Sequence, residues 1–345
     1  MLDYIHFENY RGFSNLKLEN LKPINIIVGP NNVGKTAVLE GLAISFTGAK
    51  NEHIAQLFRK SPRQEEKSAY WDWLVHREAT ESIASIQCGG KTFDVRSEMV
   101  EIKSPEHQAL SKKKDSYTGR WEKSSGFTIS LGEGWVSLRK LFRDGTLPPL
   151  STNVVARPSN GAEPESVSKL YNQIAPLNPD GEDEIQGFLK NSIEPRLKRI
   201  RYALAKDTKT HLAYVQLEGL QEMIPFTQLG QAFSSTFHLY CLLYAERPDI
   251  LLIDEIENGI YFEGLDDYWK GLHAALAAKG TQLFATTHSF ECMKAAHEEA
   301  KKLDGEYPIN FIRLQRDPDD SSKIIATEFG EEAMDGAIQQ GWDMR

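Results

Sequence analysis

The run Gly29-Pro30-Asn31-Asn32-Val33-Gly34-Lys35-Thr36 has residue types suited to holding phosphate. Its two glycines permit a tight turn whose backbone N–H groups converge on an anion. A helix starting there adds the positive end of its dipole. Lys35 supplies a point charge for the β- and γ-phosphates of a nucleotide, and the Thr36 hydroxyl suits Mg²⁺. Gly29, Asn31, Asn32, Val33, Gly34, Lys35 and Thr36 are therefore candidate ATP-binding residues.

Hydrolysis needs groups beyond a cradle, and two later runs offer them. Ile250-Leu251-Leu252-Ile253 ends in Asp254-Glu255. An apolar run that ends in two acids reads as a buried parallel strand with its carboxylates at the C-terminal edge, where ligands bind in such sheets. Asp254 is the candidate metal group beside Thr36. Glu255 is the candidate that orients or deprotonates the attacking water. Gln282-Leu283-Phe284-Ala285-Thr286-Thr287-His288-Ser289 repeats the design, and His288 would reach the γ-phosphate or that water. Together the three runs predict an ATP- and Mg²⁺-dependent hydrolytic site split across the chain.

Those groups must be positioned by a sheet. Ile24 to Val28 is a strand leading into the loop, and Thr36 to Phe46 a helix leaving it, with Val38, Leu39, Leu42 and Phe46 at helical spacing. From Asp249 the pattern alternates strand, helix, strand, helix, strand, which predicts a parallel sheet covered by helices. Residues 1–28 read as antiparallel strands. Residues 50–80 are charged and read as helical around Trp71 and Trp73. A hairpin is expected around Cys88-Gly89-Gly90-Lys91, a polar exposed insertion near 101–125, and strands at Phe127–Leu131 and Trp135–Leu138. Helices are expected at 163–175, 182–191 and Gln231–Glu246. Arg196 to Arg201 is the densest basic stretch and reads as one exposed face. A hairpin through Glu218-Gly219 and a final helix over Glu331–Gln339 complete the reading.

Composition sets the class. The 345 residues include 26% charged and 40% hydrophobic side chains, enough for a large folded core. The formal charge of −9 argues against a whole-surface attraction to nucleic acid. Cys88, Cys241 and Cys292 are scattered, which suggests neither a zinc site nor a disulfide framework and fits a cytoplasmic location. No signal segment or membrane-length apolar run is visible, so no membrane partner is expected.

Phe7-Glu8-Asn9-Tyr10-Arg11-Gly12-Phe13, followed by Ile26 through Thr36, resembles the opening of RecF, SMC and OLD-type ATPases. Leu252-Ile253-Asp254-Glu255-Ile256-Glu257-Asn258-Gly259, then Ala285 through Ser289, Phe311-Ile312-Arg313-Leu314 and Trp342 through Arg345, narrow the resemblance. It is to stand-alone bacterial AAA-type ATPases of the OLD group, often found among phage-defence systems. The resemblance spans nearly the whole chain and is weakest over residues 50–150. It implies an α/β, two-lobed ABC-type ATPase head. Residues 1–50 and 249–345 would form the nucleotide-binding core, 51–150 an antiparallel β lobe, and 151–248 a helical signature lobe.

The resemblance also implies that two copies sandwich ATP. Thr227 to Phe233 of one chain, with Gln228, Gly230 and Gln231, would face the other chain's phosphate loop. Glu257, Asn258 and Gly259 would communicate across the interface, and Arg11 would touch phosphate or adenine. Gln228 stands where the family usually has Ser, Ala232 where a second Gly is frequent, and Tyr261 where His is common. These departures imply slow turnover. The TOPRIM nuclease domain of OLD nucleases has no counterpart in residues 289–345, so a separate effector, a nuclease or toxin, is the expected partner. Two alternatives stand beside this: a RecF- or SMC-like ATPase acting on DNA, and a slow ATP-dependent scaffold.

Overall fold

The computed structural model describes residues 1–46, 83–89, 91–101, 123–130, 135–137, 152–157, 162–204 and 210–341. The readings around Trp71 and Trp73, most of the 101–125 insertion and the terminal Trp342 to Arg345 lie outside these residues. Among the described residues the strands form three sheets.

The central sheet positions the chemistry. Its order is β15 (Ile324–Phe329), β14 (Ile309–Arg316), β3 (Ile24–Val28), β13 (Gln282–Thr286), β12 (Ile250–Ile253) and β8 (Val154–Arg157). All neighbours pair in parallel except β14 with β15. The apolar runs are continuous because both faces are covered. Strand β12 illustrates the two-residue period: Ile250 and Leu252 face one core, Leu251 and Ile253 the other.

Two expectations are corrected here. Ile24–Val28 does not continue the antiparallel pairing of the preceding strands; it lies parallel between β13 and β14. Val154–Arg157, expected within the helical lobe, is an edge strand of the central sheet. Its four residues sit in a polar stretch, too short for periodicity to reveal.

The second sheet is antiparallel, in the order β2 (Phe13–Leu18), β1 (Ile5–Tyr10), β4 (Ile83–Cys88), β5 (Lys91–Glu101), β6 (Lys123–Ser130) and β7 (Trp135–Ser137). The strands before residue 19 thus pair with those after residue 82. Helix α1 (Lys35–Ser45) packs between this sheet and the central one, with Val38, Leu39 and Leu42 fully buried. Phe7, Tyr10 and Phe13 cluster against it at ring separations of 5.5 to 6.5 Å. Gly41 permits that approach, since a Cβ there would sit 2.5 Å from Phe7. Buried Gln282 ties the sheets together, accepting from the Leu2 N–H at 2.7 Å and donating to the Leu2 carbonyl at 2.8 Å.

The other face of the central sheet is covered by helices: α2 (Pro164–Asn172), α3 (Ile174–Leu177), α4 (Gly181–Ser192), α5 (Gln231–Cys241), α6 (Leu265–Lys279), α7 (Phe290–Ala300) and α8 (Glu331–Gln339). A wider turn, Leu242–Glu246, extends α5 and ends at Arg247 before Pro248. The third sheet, β11 (Ile224–Pro225), β10 (His211–Leu217) and β9 (Leu197–Leu204), belongs to this layer. The basic stretch falls on β9 with Lys198, Arg199 and Arg201 exposed, as its composition predicts. No helix among the described residues is long and apolar enough to cross a membrane.

Candidate functional site

The parallel strands end at one edge of the central sheet, and a cleft of about 750 Å³ opens there. Asn31 to Thr36, Arg11, Asp254, Glu255 and His288 all line it. Groups separated by more than two hundred positions in sequence thus share one space.

The loop between β3 and α1 depends on its glycines. Gly29 adopts φ +137°, and a Cβ there would lie 2.2 Å from the Leu314 carbonyl oxygen of β14. Gly34 adopts φ +102°, and its Cβ would meet the Phe13 ring at 2.6 Å. A side chain would be strained at either position whatever the space. Lys35 is 6% exposed, and its Nζ donates to the Gly29 carbonyl at 2.8 Å and the Pro30 carbonyl at 2.9 Å. The ammonium is held inside the loop by the backbone it serves.

The acids are interlocked with the loop. Thr36 Oγ1 donates to Asp254 Oδ1 at 3.1 Å, and Thr286 Oγ1 donates to the same oxygen at 2.7 Å. The Glu255 N–H donates to Thr286 Oγ1 at 2.9 Å. Glu255 takes φ +54°, a left-handed backbone that costs a non-glycine residue roughly 1–2 kcal/mol. That turn follows the strand directly and brings Glu255 to the cleft. The His288 N–H donates to Glu257 Oε1 at 2.8 Å. Arg11, also left-handed at φ +52°, forms the two-residue turn with Gly12 between β1 and β2 and pairs with Glu40 at 2.8 Å.

The remaining sequence candidates gather elsewhere. Gln228 lies in a short turn, Phe226–Leu229, and Gly230, at φ +86°, precedes α5. Gln231 Nε2 donates to Asn258 Oδ1 at 2.9 Å, and a Cβ on Gly259 would lie 2.6 Å from the Gln231 side chain. Gln231, Asn258 and Gly259 therefore form one corner, with Gln228 and Gly230 just before it in the chain, and none of the five lines the cleft. Glu257 divides its allegiance, since its carboxylate turns back to His288.

Several participants were not legible as site residues. Thr286 joins Asp254 to Glu255, although only its place at a strand end hinted at it. Glu40 is 4% exposed and reaches the cleft from α1. Arg316, Ser322 and Ile324 of the β14–β15 hairpin line the cleft because β14 runs parallel to β3 and continues past Val28. Arg157, at the end of β8, is 2% exposed beside the acid run.

The cleft's donor set suits a nucleotide-bound divalent cation. Among the described residues no group of three or more His, Cys, Asp or Glu could hold a metal by itself. A hydroxyl and a carboxylate, Thr36 and Asp254, stand 3.1 Å apart instead. Mg²⁺ is commonly held by few protein oxygens, with phosphate and water completing its shell.

Comparison with known proteins agrees with this architecture. The AAA domain family matches residues 4–302. An "ATP/GTP phosphatase" of Helicobacter pylori is 21% identical over 377 aligned positions, covering 96% of each chain. An uncharacterised protein of Methanocaldococcus jannaschii is 54% identical over 50 residues, 14% of this chain and 22% of its own. Among solved structures, an SMC head bound to the C-terminal winged-helix domain of ScpA superposes with TM-score 0.57 at 12% identity, covering 96% of this chain and 98% of that one. A Pyrococcus furiosus Smc head with an extended coiled coil, bound to the C-terminal domain of ScpA, gives 0.56 at 9% identity and 99% coverage of both. The chain belongs to the AAA domain family, and its fold is that of the ABC-type ATPase heads of SMC proteins.

Proposed function

We propose that this protein is the ATP-binding and ATP-hydrolysing subunit of a bacterial antiphage system, forming ATP-sandwiched assemblies that control a separate nuclease or toxin. The observation that carries the ATPase reading is the Thr36–Asp254 hydrogen bond of 3.1 Å, which joins the phosphate loop to the acid run across 218 positions. The name of the Helicobacter pylori relative supports the same chemistry. Asn31, Asn32, Val33 and Gly34 present the loop backbone to phosphate, with Gly29 making the turn and Lys35 supplying the charge. Thr36 and Asp254 would hold Mg²⁺, which supplies neutralisation of developing phosphate charge. Glu255 orients the attacking water and accepts its proton. His288 hydrogen-bonds the γ-phosphate or that water, and Arg11 borders the nucleotide.

The assembly reading is supported by the corner of Gln231, Asn258 and Gly259, with Gln228 and Gly230 just before it, which is built but does not line its own cleft. A second copy would bring that corner to the phosphate loop. A domain division goes with this reading, a nucleotide core, an antiparallel β lobe and a signature lobe within one head, with Val154–Arg157 counted in the core and the strands before residue 19 in the β lobe. The SMC head structures each contain a bound protein, ScpA, which supports partner control as a mode of action for the fold.

The purified chain should release phosphate from ATP slowly, lose that activity on chelation of Mg²⁺, and leave plasmid DNA uncut. Its operon neighbour should co-purify with it in one nucleotide state only, because a partner is controlled only by differential affinity. Absence of phosphate release with Mg²⁺ and ATP present would remove the enzymatic reading. Equal capture of the neighbour with and without ATP would remove the control reading.

A second reading has its own observation. Lys198, Arg199 and Arg201 project from edge strand β9 on a chain of net charge −9. A RecF- or SMC-like DNA-maintenance role predicts duplex binding whose affinity falls steeply with salt, and falls again when these cations are replaced. A slow ATP-dependent scaffold predicts assembly with ATP but negligible phosphate release.

A further inference from the structure

Arg157 is a buried cation that the hydrolytic scheme does not yet use. It ends β8, is 2% exposed, and sits opposite Ile253 in the parallel register. Its main chain and side chain both reach the turn that carries the acids. The Arg157 carbonyl accepts the Asp254 N–H at 3.2 Å, and Arg157 Nη2 donates to the Ile256 carbonyl at 3.5 Å. Glu255 lies between these two attachment points.

The guanidinium is poorly satisfied for a buried group. It carries five N–H donors, its Nε is buried without a partner, and its Nη2 contact is long. Burial of such a charge is unfavourable unless an anion compensates. Burial lowers its pKa, and the fields of Tyr268, Glu257 and Asp254 oppose that. Glu257 has a matching deficit. Its Oε2 is buried without a partner, while its Oε1 holds the His288 N–H at 2.8 Å. A cation and a carboxylate, each short of partners and with no hydrogen bond between them, thus flank the same turn.

We infer that Arg157 is a positioning residue for hydrolysis: it holds the Asp254–Ile256 turn by its carbonyl and its Nη2, and its charge attracts the Glu257 carboxylate that carries the His288 N–H. This rests on the ATPase reading above. Arg157 does not line the cleft, so its removal should leave nucleotide binding nearly intact. It should instead displace the water-handling groups. A shift of about 1 Å in such groups costs up to roughly a hundredfold in rate.

The test is a comparison of Arg157→Met, Arg157→Lys and Glu257→Gln in the full chain, with affinity for a fluorescent ATP analogue, kcat, KM and thermal stability measured on each. Arg157→Met should lower kcat about tenfold to a hundredfold, with the analogue's affinity changed less than about twofold. Lysine, which keeps the charge, should recover part of the loss. Glu257→Gln should resemble Arg157→Met, and the double variant should be little worse than either single one, as for residues acting in one network. Parental kcat in folded Arg157→Met would overturn the inference, as would multiplicative losses in the double variant. Equal losses of affinity and turnover would also overturn it, by showing a structural role alone. If Arg157→Met does not fold, Arg157→Lys decides: parental kcat with a loosened fold overturns the inference, and reduced kcat with parental affinity sustains it. If the parent hydrolyses ATP and only these outcomes fail, the ATPase reading survives without the inference.

Discussion

The cleft and the Gln231–Asn258 corner are both built from a turn at a strand or helix end, yet they are satisfied differently. In the cleft, Lys35 is 6% exposed and Asp254 4%, and their polar atoms are engaged by the loop, Thr36 and Thr286. In the corner, the Gln231–Asn258 bond is exposed, and a Cβ on Gly230 would meet nothing within 4 Å. The cleft is closed by its own chain on the acid side. The corner has a fixed shape and an open front. Groups fixed in place by their own chain are preorganised to hold a small anion. An open front with preset geometry is what a surface needs to be completed by something else.

The strongest way to break the first half of that comparison is Lys35→Ala. The ammonium is buried and bonded to two loop carbonyls, so its loss removes both the charge and the loop's internal tie. ATP affinity should fall at least about a hundredfold, roughly 2.7 kcal/mol. Isothermal titration with ATP and Mg²⁺ checks this, and unchanged affinity would place the nucleotide elsewhere.

Glu255→Gln separates binding from chemistry within the cleft. The amide keeps the size and the left-handed turn but accepts a proton poorly. Turnover should fall by about 10² to 10³, in the range of general-base removal, while ATP affinity holds. Single-turnover phosphate release against equilibrium binding makes the distinction. A parental rate would move the base to another residue.

The two regions were unequally legible in sequence, for a physical reason. The phosphate loop announces itself because Gly29, Gly34, Lys35 and Thr36 each meet a local requirement, and local requirements fix spacing. Strands β12 and β13 are visible because burial on both faces demands an unbroken apolar run. The direction of β3 is invisible locally, since its partners Leu283 and Ile309 lie more than two hundred positions away and an apolar pentapeptide suits either pairing. Arg157, Glu40 and Thr286 escape for the same reason. Their types are ordinary, and only the folded sheet edge gives them neighbours. The corner was reached through family resemblance, because Gln228 and Gly230 obey no local rule that a turn and a helix start do not already explain.

His288→Ala probes the far wall of the cleft and should have an intermediate effect. The tie from this segment to Glu257 is a backbone N–H, which alanine retains, so the strand end stays in place and only the imidazole is lost. Turnover should drop about tenfold, less than the roughly 10²–10⁴ of a lost general base because Glu255 remains, with affinity changed less than about twofold. Steady-state kcat and KM report the split. A rise in KM at constant kcat would make His288 a binding group instead.

The smallest effect is expected from Asn258→Ala, and it sharpens the second half of the comparison. The bond to Gln231 is exposed, so its loss should cost only about 0.5–1 kcal/mol of stability. Asn258 does not line the cleft, so ATP affinity at low protein concentration should be unchanged. If the corner serves a second copy, its loosening should appear where two chains must meet. The protein concentration at which turnover reaches half its maximum should rise about twofold to fivefold, the equivalent of the lost bond. Turnover measured across a dilution series, beside light scattering with and without ATP, reads both quantities. A uniform fall in turnover at every concentration would instead mean that the corner supports its own cleft through the Glu255–Gly259 turn. The contrast between a self-satisfied cleft and an open corner would then have no functional content.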